Sequence, residues 1–246
     1  MRALLVAAFA LTVCAAVTAA PRDGLVAHYG LDGNAEDDGP YMLDGAEVGP
    51  VAYGPGVRCE AAVFDGVQSH IRVDGFIGVL QGFSAWVKPA APITSVAGGG
   101  GLFGRSVSAP AAPYLHLGSL TGQVAGELVS ILMPFQPQND SIFYWTGADV
   151  GEDIDARWNH LALSWEPDAA NYRLYVNGQD RGLARMHNMP RAISLDGVTI
   201  GGYGGSPSTF LAGSIDEVRF YERPLSGSEI AVEANLSDIV VAGGCD

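Results

Sequence analysis

The 246-residue chain carries almost no stretch with the 3.6-residue spacing of an amphipathic helix. Apolar side chains instead recur every second residue in short runs, and Gly, Pro, Asn and Asp break the runs apart. Leu161, Leu163 and Trp165 alternate with Ala162 and Ser164, and Tyr172, Leu174 and Val176 alternate with Arg173, Tyr175 and Asn177. Period-two alternation belongs to strands with one buried face. Glu166 to Asn171 reads as a hairpin loop between these two runs. Asn177-Gly178, which follows them, is the strongest short hairpin-turn signal in the chain. Phe83-Ser84-Ala85-Trp86-Val87 is a further strand-like run that stops at Pro89. Many short strands at turn-punctuated spacing predict an all-β sandwich or barrel. The 33 Gly and 14 Pro supply the turns that such a fold needs. Nothing repeats at a fixed period and no linker is visible, so one domain over residues 20–246 is expected.

Two segments depart from the strand pattern. Ser226-Gly227-Ser228-Glu229 has capping-box spacing: the Ser226 hydroxyl can accept from the Glu229 amide while the Glu229 carboxylate reaches back to the Ser226 amide. A short C-terminal helix from Gly227 to about Leu236 follows, with Leu225 and Ile230 as its hydrophobic staple. At the other end, Met1-Arg2 precedes an apolar run from Ala3 to Ala16 and then the small residues Val17-Thr18-Ala19-Ala20. The run is too short to span a bilayer comfortably and reads as a secretory signal, residues 1–19, cleaved after Ala19. The mature chain is expected to be secreted, periplasmic or at the cell surface, with no membrane insertion. Cys14 leaves with the signal, so Cys59 and Cys245 remain. In an exported chain they suggest one disulfide, two free thiols being the alternative.

Charge narrows the partners. The chain has 13 Lys and Arg against 27 Asp and Glu, a net charge of −14, which becomes −15 once Arg2 is removed, and Lys88 is its one lysine. A nucleic-acid partner needs clustered cations to displace condensed counterions. A basic membrane-surface patch is disfavoured for the same reason.

The segment Gly213-Ser214-Ile215-Asp216-Glu217-Val218-Arg219-Phe220-Tyr221-Glu222-Arg223-Pro224-Leu225-Ser226 resembles the closing strand of laminin-G-like domains in the concanavalin A-like lectin/glucanase superfamily. Other pieces occur in the family's order: Leu31 to Asp37, Val63 to Gly66 with Ile71 to Val73, Phe83 to Pro89, and Trp158 to Leu163 with Leu174 to Gly178. The resemblance covers about Gly24 to Ala234 and is weakest from Gly98 to Asp155. It implies a two-sheet antiparallel jelly-roll sandwich. Strict alternation along the closing strand puts Asp216, Val218 and Phe220 on one face, so Asp216 is expected to turn inward. A buried carboxylate without a partner costs several kcal/mol, and a hard cation, an Arg or backbone donors can compensate it. In relatives of this fold a calcium ion commonly joins the first strand's end to such an Asp. A structural Ca²⁺ on Asp216, with oxygens from Asp32 and Gly33 and Asp37 as a further donor, is therefore one expectation. The other is that Asp216 pairs with an Arg and Asp37 caps a turn.

Enzyme signals are thin. Glucanases of the superfamily carry closely spaced carboxylates alternating along one strand, but Glu152-Asp153-Ile154-Asp155 follows Gly151 and lacks that alternation. Glu127 and Glu217 are isolated in sequence, and His116 and His160 read as structural strand residues. For binding, Tyr144 and Trp145 lie in the most aromatic segment. Tyr203 sits among glycines that cannot bury it locally. These three are the candidate sugar-stacking residues, with core packing as their alternative. The sequence reading is an exported, non-catalytic module that recognises extracellular glycan. A surface-protein partner and an unrecognised polysaccharide-acting enzyme remain as alternatives.

Overall fold

The computed structural model describes residues 20–75, 78–93, 100–104, 114–118, 127–135, 139–150, 154–186, 192–203 and 209–235. The signal segment, Cys245, Glu152 and Asp153 lie outside them. Two large antiparallel sheets hold most of the strands, with a two-stranded sheet at one edge.

Sheet A contains β1 (Leu25–Tyr29), β3 (Ala52–Pro55), β4 (Glu60–Asp65), β7 (Gly82–Pro89), β12 (Asn159–Glu166), β13 (Asn171–Val176), β14 (Gln179–Leu183) and β18 (Ala212–Tyr221). Its order is β14-β13-β12-β7-β18-β4-β3, and β1 also pairs with β18. Sheet B contains β2 (Ala46–Val48), β5 (His70–Val73), β8 (Gly100–Gly104), β9 (Tyr114–Leu117), β10 (Glu127–Phe135), β11 (Asn139–Thr146), β15 (Arg185–Met186) and β17 (Val198–Ile200). Its order is β15-β11-β10-β9-β8-β17-β5-β2. The small sheet pairs β6 (Gly78–Leu80) with β16 (Ile193–Leu195). The weakly matching middle of the chain thus supplies four neighbouring strands of sheet B, β8 to β11.

The sheets pack through alternate residues. Phe83 and Phe220 from sheet A meet Phe103 from sheet B, with ring centroids 4.7 Å apart for Phe83–Phe103 and 5.6 Å for Phe103–Phe220. The β12–β13 hairpin forms in the register that the alternation implies, with Leu163 opposite Leu174 and Glu166 opposite Asn171. Asn177 and Gly178 take φ of 52° and 75°, the left-handed pair that a tight two-residue hairpin turn requires.

The outer face of sheet A is covered as well. Helix α1 (Gly147–Val150) is a single turn after β11, and α2 (Gly227–Ala234) closes the described chain. Both hydrogen bonds of the α2 capping box are present. Leu225 and Ile230 join Leu25, Ala162 and Tyr221 in a second apolar cluster against the outer face. Among the described residues, no helix is long and apolar enough to cross a membrane.

Strict alternation fails on β18 in a way that moves an acidic residue. The strand bulges between Asp216 and Arg219, and Glu217 takes φ of 53°. Left-handed backbone is uncommon for a non-glycine residue. The extra residue flips the pleat, so Ile215, Val218 and Phe220 all face the core. Asp216 therefore does not share a face with Val218 and Phe220. It lies opposite Trp86, whose neighbours Ala85 and Val87 are core residues, and so points away from the space between the sheets.

Candidate functional site

Asp216 is nonetheless fully buried, because the loop before β4 folds over it. The amides of Val57 and Arg58 donate to its Oδ2 at 2.7 and 3.0 Å. A Cβ on Gly56 would stand 2.6 Å from the same oxygen, so only glycine lets the loop come this close. Among the described residues Oδ1 has no hydrogen-bond partner. Burial drives the Asp216 carboxyl up to about 7, against the two amides and with help from the charges of Glu217 and Asp32.

The neighbouring acid is differently served. Glu217 receives His28 Nε2 at 3.0 Å and a close contact from the Arg219 guanidinium, with Arg58 Nη1 at 3.7 Å. Burial alone would raise it, but the His28 hydrogen bond and the positive charge of Arg219 hold it near 2. The Arg expected as a partner for Asp216 has thus gone to Glu217.

Asp32 is exposed and accepts the Glu60 amide on Oδ1 at 2.9 Å. Burial raises its carboxyl modestly, opposed by that amide and reinforced by Glu217 and Asp38. Gly33, at φ 81°, lies so near Glu60 that a Cβ would meet Oε2 at 2.9 Å. Asp37 serves another purpose. Its Oδ1 accepts from His28 N and Gly39 N at 2.8 and 2.7 Å, and its Oδ2 from Leu43 N at 2.8 Å. That carboxylate ties the 37–43 loop to β1, as a turn cap does, and is poorly placed to ligate a cation.

The fit to a hard cation rests on Asp216 Oδ1, a buried and unsatisfied oxygen in an acid-rich corner. No group of three or more His, Cys, Asp and Glu side chains suited to a metal ion occurs among the described residues. A cation here would take Asp216 and Asp32 as its carboxylates and complete its shell with backbone carbonyls and water, as Ca²⁺ readily does.

The aromatic candidates divide. Trp145 is fully buried in the inter-sheet core, and its indole N–H donates to the Gly182 carbonyl at 3.0 Å, so it offers no stacking surface. Tyr203 is also buried. It occupies the space over Gly101, where a Cβ would meet its ring at 2.4 Å. Its hydroxyl lies 3.2 Å from His116 Nδ1, and burial lowers His116 to about 4, leaving the imidazole neutral. Strand register brings Tyr144 and this pair onto one face. Arg185, Tyr144, Ser130, His116 and Gly101 are successive cross-strand neighbours on β15, β11, β10, β9 and β8. This row lies on the outer face of sheet B, since Val129, Ile131, Leu115 and Leu117 fill the core side. Only its Arg185–Tyr144 end has appreciable exposure. His160, packed edge-on against Trp86 with centroids 5.3 Å apart, is a buried outer-face residue of sheet A.

One feature was not anticipated from the sequence. A cleft of about 470 Å³ opens between β1, the 37–43 loop, β6 and the end of β18. Val26, Tyr41, Leu43, Val79 and Glu222 line it, over the glycines 75 and 78 and Tyr221. Tyr41 is 58% exposed. The signal for it was the one applied to Tyr203: an aromatic residue in a loop of Asp, Gly and Pro with nothing local to bury it.

Two sheets stacked face to face, closed by a bulged acidic strand, define a jelly-roll sandwich of the lectin and glucanase kind. In agreement, residues 81–231 match the concanavalin A-like lectin/glucanases superfamily, and the chain belongs to that family. No curated protein matches the chain in sequence. Among solved structures it is similar to domain 4 of AbnA, a GH43 extracellular arabinanase from Geobacillus stearothermophilus, determined in complex with arabinotriose. Identity is 24%, the TM-score is 0.62, and the match covers 85% of this chain and 98% of that domain. It is also similar to the binding domain of Paraclostridial Mosquitocidal Protein 1 (16% identity, TM-score 0.64, 87% of this chain). The receptor binding domain of botulinum neurotoxin D is a third such structure (12% identity, TM-score 0.61, 87% of this chain). The chain spans about half the length of these two toxin domains.

Proposed function

We propose that the protein is an exported, non-catalytic binding module that recognises extracellular carbohydrate. The observation that carries this reading is the likeness to AbnA domain 4, which runs over nearly the whole of a domain solved with arabinotriose. The open aromatic cleft supports it, because small-ligand sites are concave, largely apolar and carry a few placed polar groups. A structural Ca²⁺ at Asp216 and Asp32 is part of the proposal, supported by the orphaned Asp216 Oδ1. So is a disulfide from Cys59 to Cys245, which would tie the C-terminal end to the loop over Asp216. By chain-entropy reasoning it stabilises by about 3–5 kcal/mol less any strain. A glycan array probed with calcium present tests the reading, with binding to a defined set of glycans expected. Binding to no glycan would favour the second reading, a module for a surface-protein partner. The resemblance to a toxin receptor-binding domain favours that alternative.

A further inference from the structure

We propose that the cleft between the 37–43 loop, β6 and the end of β18 is the glycan subsite, and that it selects neutral rather than acidic saccharides. This rests on the carbohydrate reading above and adds a location and a ligand class to it.

Three observations meet here. Tyr41 and its neighbour Met42 are 58% and 78% exposed, although large apolar side chains on a surface loop gain nothing by facing water. The loop is nevertheless held in place: Asp37 takes the amides of Gly39 and Leu43, the Tyr29 hydroxyl donates to the Leu43 carbonyl at 2.7 Å, and Met42 adopts φ of 51°. A fixed loop presents the tyrosine with little ordering cost on binding. The cleft volume, about 470 Å³, falls within the usual range for small-ligand sites of about 300–1,000 Å³.

The lining sets the ligand's chemistry. Tyr41, Leu43, Val26 and Val79 offer aromatic and aliphatic surface suited to the C–H face of a sugar ring. Among the described residues, a Cβ on Gly75 or Gly78 would meet nothing within 4 Å, so their backbone can be approached by ligand polar atoms. The Tyr221 hydroxyl is occupied, donating its one proton to Glu233, with the Pro21 carbonyl 3.1 Å away, so that residue supplies floor rather than a polar contact. Glu222 is exposed at the rim and is the one charged residue of the lining among the described residues. Its carboxylate can accept from two neighbouring sugar hydroxyls. The adjacent cation, Arg223, is engaged by Glu229 and Asp23 and does not offset it. A uronate or sulfated sugar would bring a second negative charge beside Glu222 on a chain of net charge −14.

The test is calorimetric titration with neutral oligosaccharides (arabino-, xylo- and gluco-series) and with oligouronates, paired with oxidative footprinting of Tyr41 and Met42. Expected are binding of a neutral series, no comparable uronate binding, and ligand-dependent protection of both residues. Tyr41→Ala should raise Kd about tenfold or more through loss of the aromatic face. Glu222→Gln should weaken neutral binding and leave the fold unchanged, since the side chain is exposed. Neutral glycan bound with equal affinity by wild type and Tyr41→Ala, without protection, would overturn the cleft while leaving the carbohydrate reading intact. Preference for uronates would overturn the charge selection. Binding of no saccharide would remove both the cleft assignment and the carbohydrate reading.

Discussion

Replacing Asp216 by Asn separates the two compensations open to a buried carboxylate. Among the described residues its Oδ1 is unpartnered, while two amides hold Oδ2. Asn keeps an acceptor for those amides and removes the charge whose burial is costly, so the variant should unfold at or above the wild-type temperature in chelator. With calcium the order reverses. A ligand at one hundred times its Kd stabilises by about 2.7 kcal/mol. For a domain of this size each kcal/mol moves Tm by about 2–4 °C, so the wild type should gain about 5–11 °C. Asp216→Asn should gain little, and Asp32→Asn an intermediate amount. Differential scanning calorimetry of the three proteins with calcium and with chelator reads this directly. A wild-type midpoint indifferent to calcium, or an Asp216→Asn midpoint that rises as far as wild type, would refute the reasoning.

Ser226→Ala, which removes the α2 cap, should cost about 1 kcal/mol in a denaturant titration, and an unchanged midpoint would show that the helix is held by Leu225 and Ile230 alone. Phe83→Ala opens the contact with Phe103 and Phe220 between the sheets and should cost about 3–5 kcal/mol. A loss below 1 kcal/mol would place Phe83 outside a tightly packed core. His160 is lowered to about 3 by burial, with the charge of Arg219 adding to it. The unfolded chain therefore binds this proton below about pH 6.5 while the native state does not. Its contribution to stability is full above that pH and drains away towards pH 3. NMR should show no titration of the His160 ring between pH 8 and 5, and a midpoint near 6.5 would contradict its burial.

What could be read from sequence was what local pattern encodes. The β12–β13 hairpin, the Asn177-Gly178 turn and the Ser226–Glu229 box each depend on a few adjacent residues, and each formed as expected. The side that Asp216 faces was not readable. The bulge at Glu217 needs left-handed backbone from a residue with no special tendency to adopt it, and Glu217 is held there by distant partners, His28 and Arg58. Trp145 and Tyr144 illustrate the same limit. They share an aromatic run, but strand alternation sends one into the core and the other to the outer face. The glycines that flank Tyr203 leave its exposure or burial open in sequence, and Gly101 on another strand makes the space that buries it. Tyr41, in a loop whose shape depends on Asp37, is an aromatic that does face solvent.

Affinity electrophoresis through gels containing neutral polysaccharides, arabinan among them, examines the proposed role most directly, because it registers binding and polymer damage together. Retarded migration in at least one such gel, reversed by free oligosaccharide and with the polymer left at full length, is the predicted result. Unretarded migration in every gel, or shortening of the polymer during the run, would contradict a module that holds carbohydrate without cutting it.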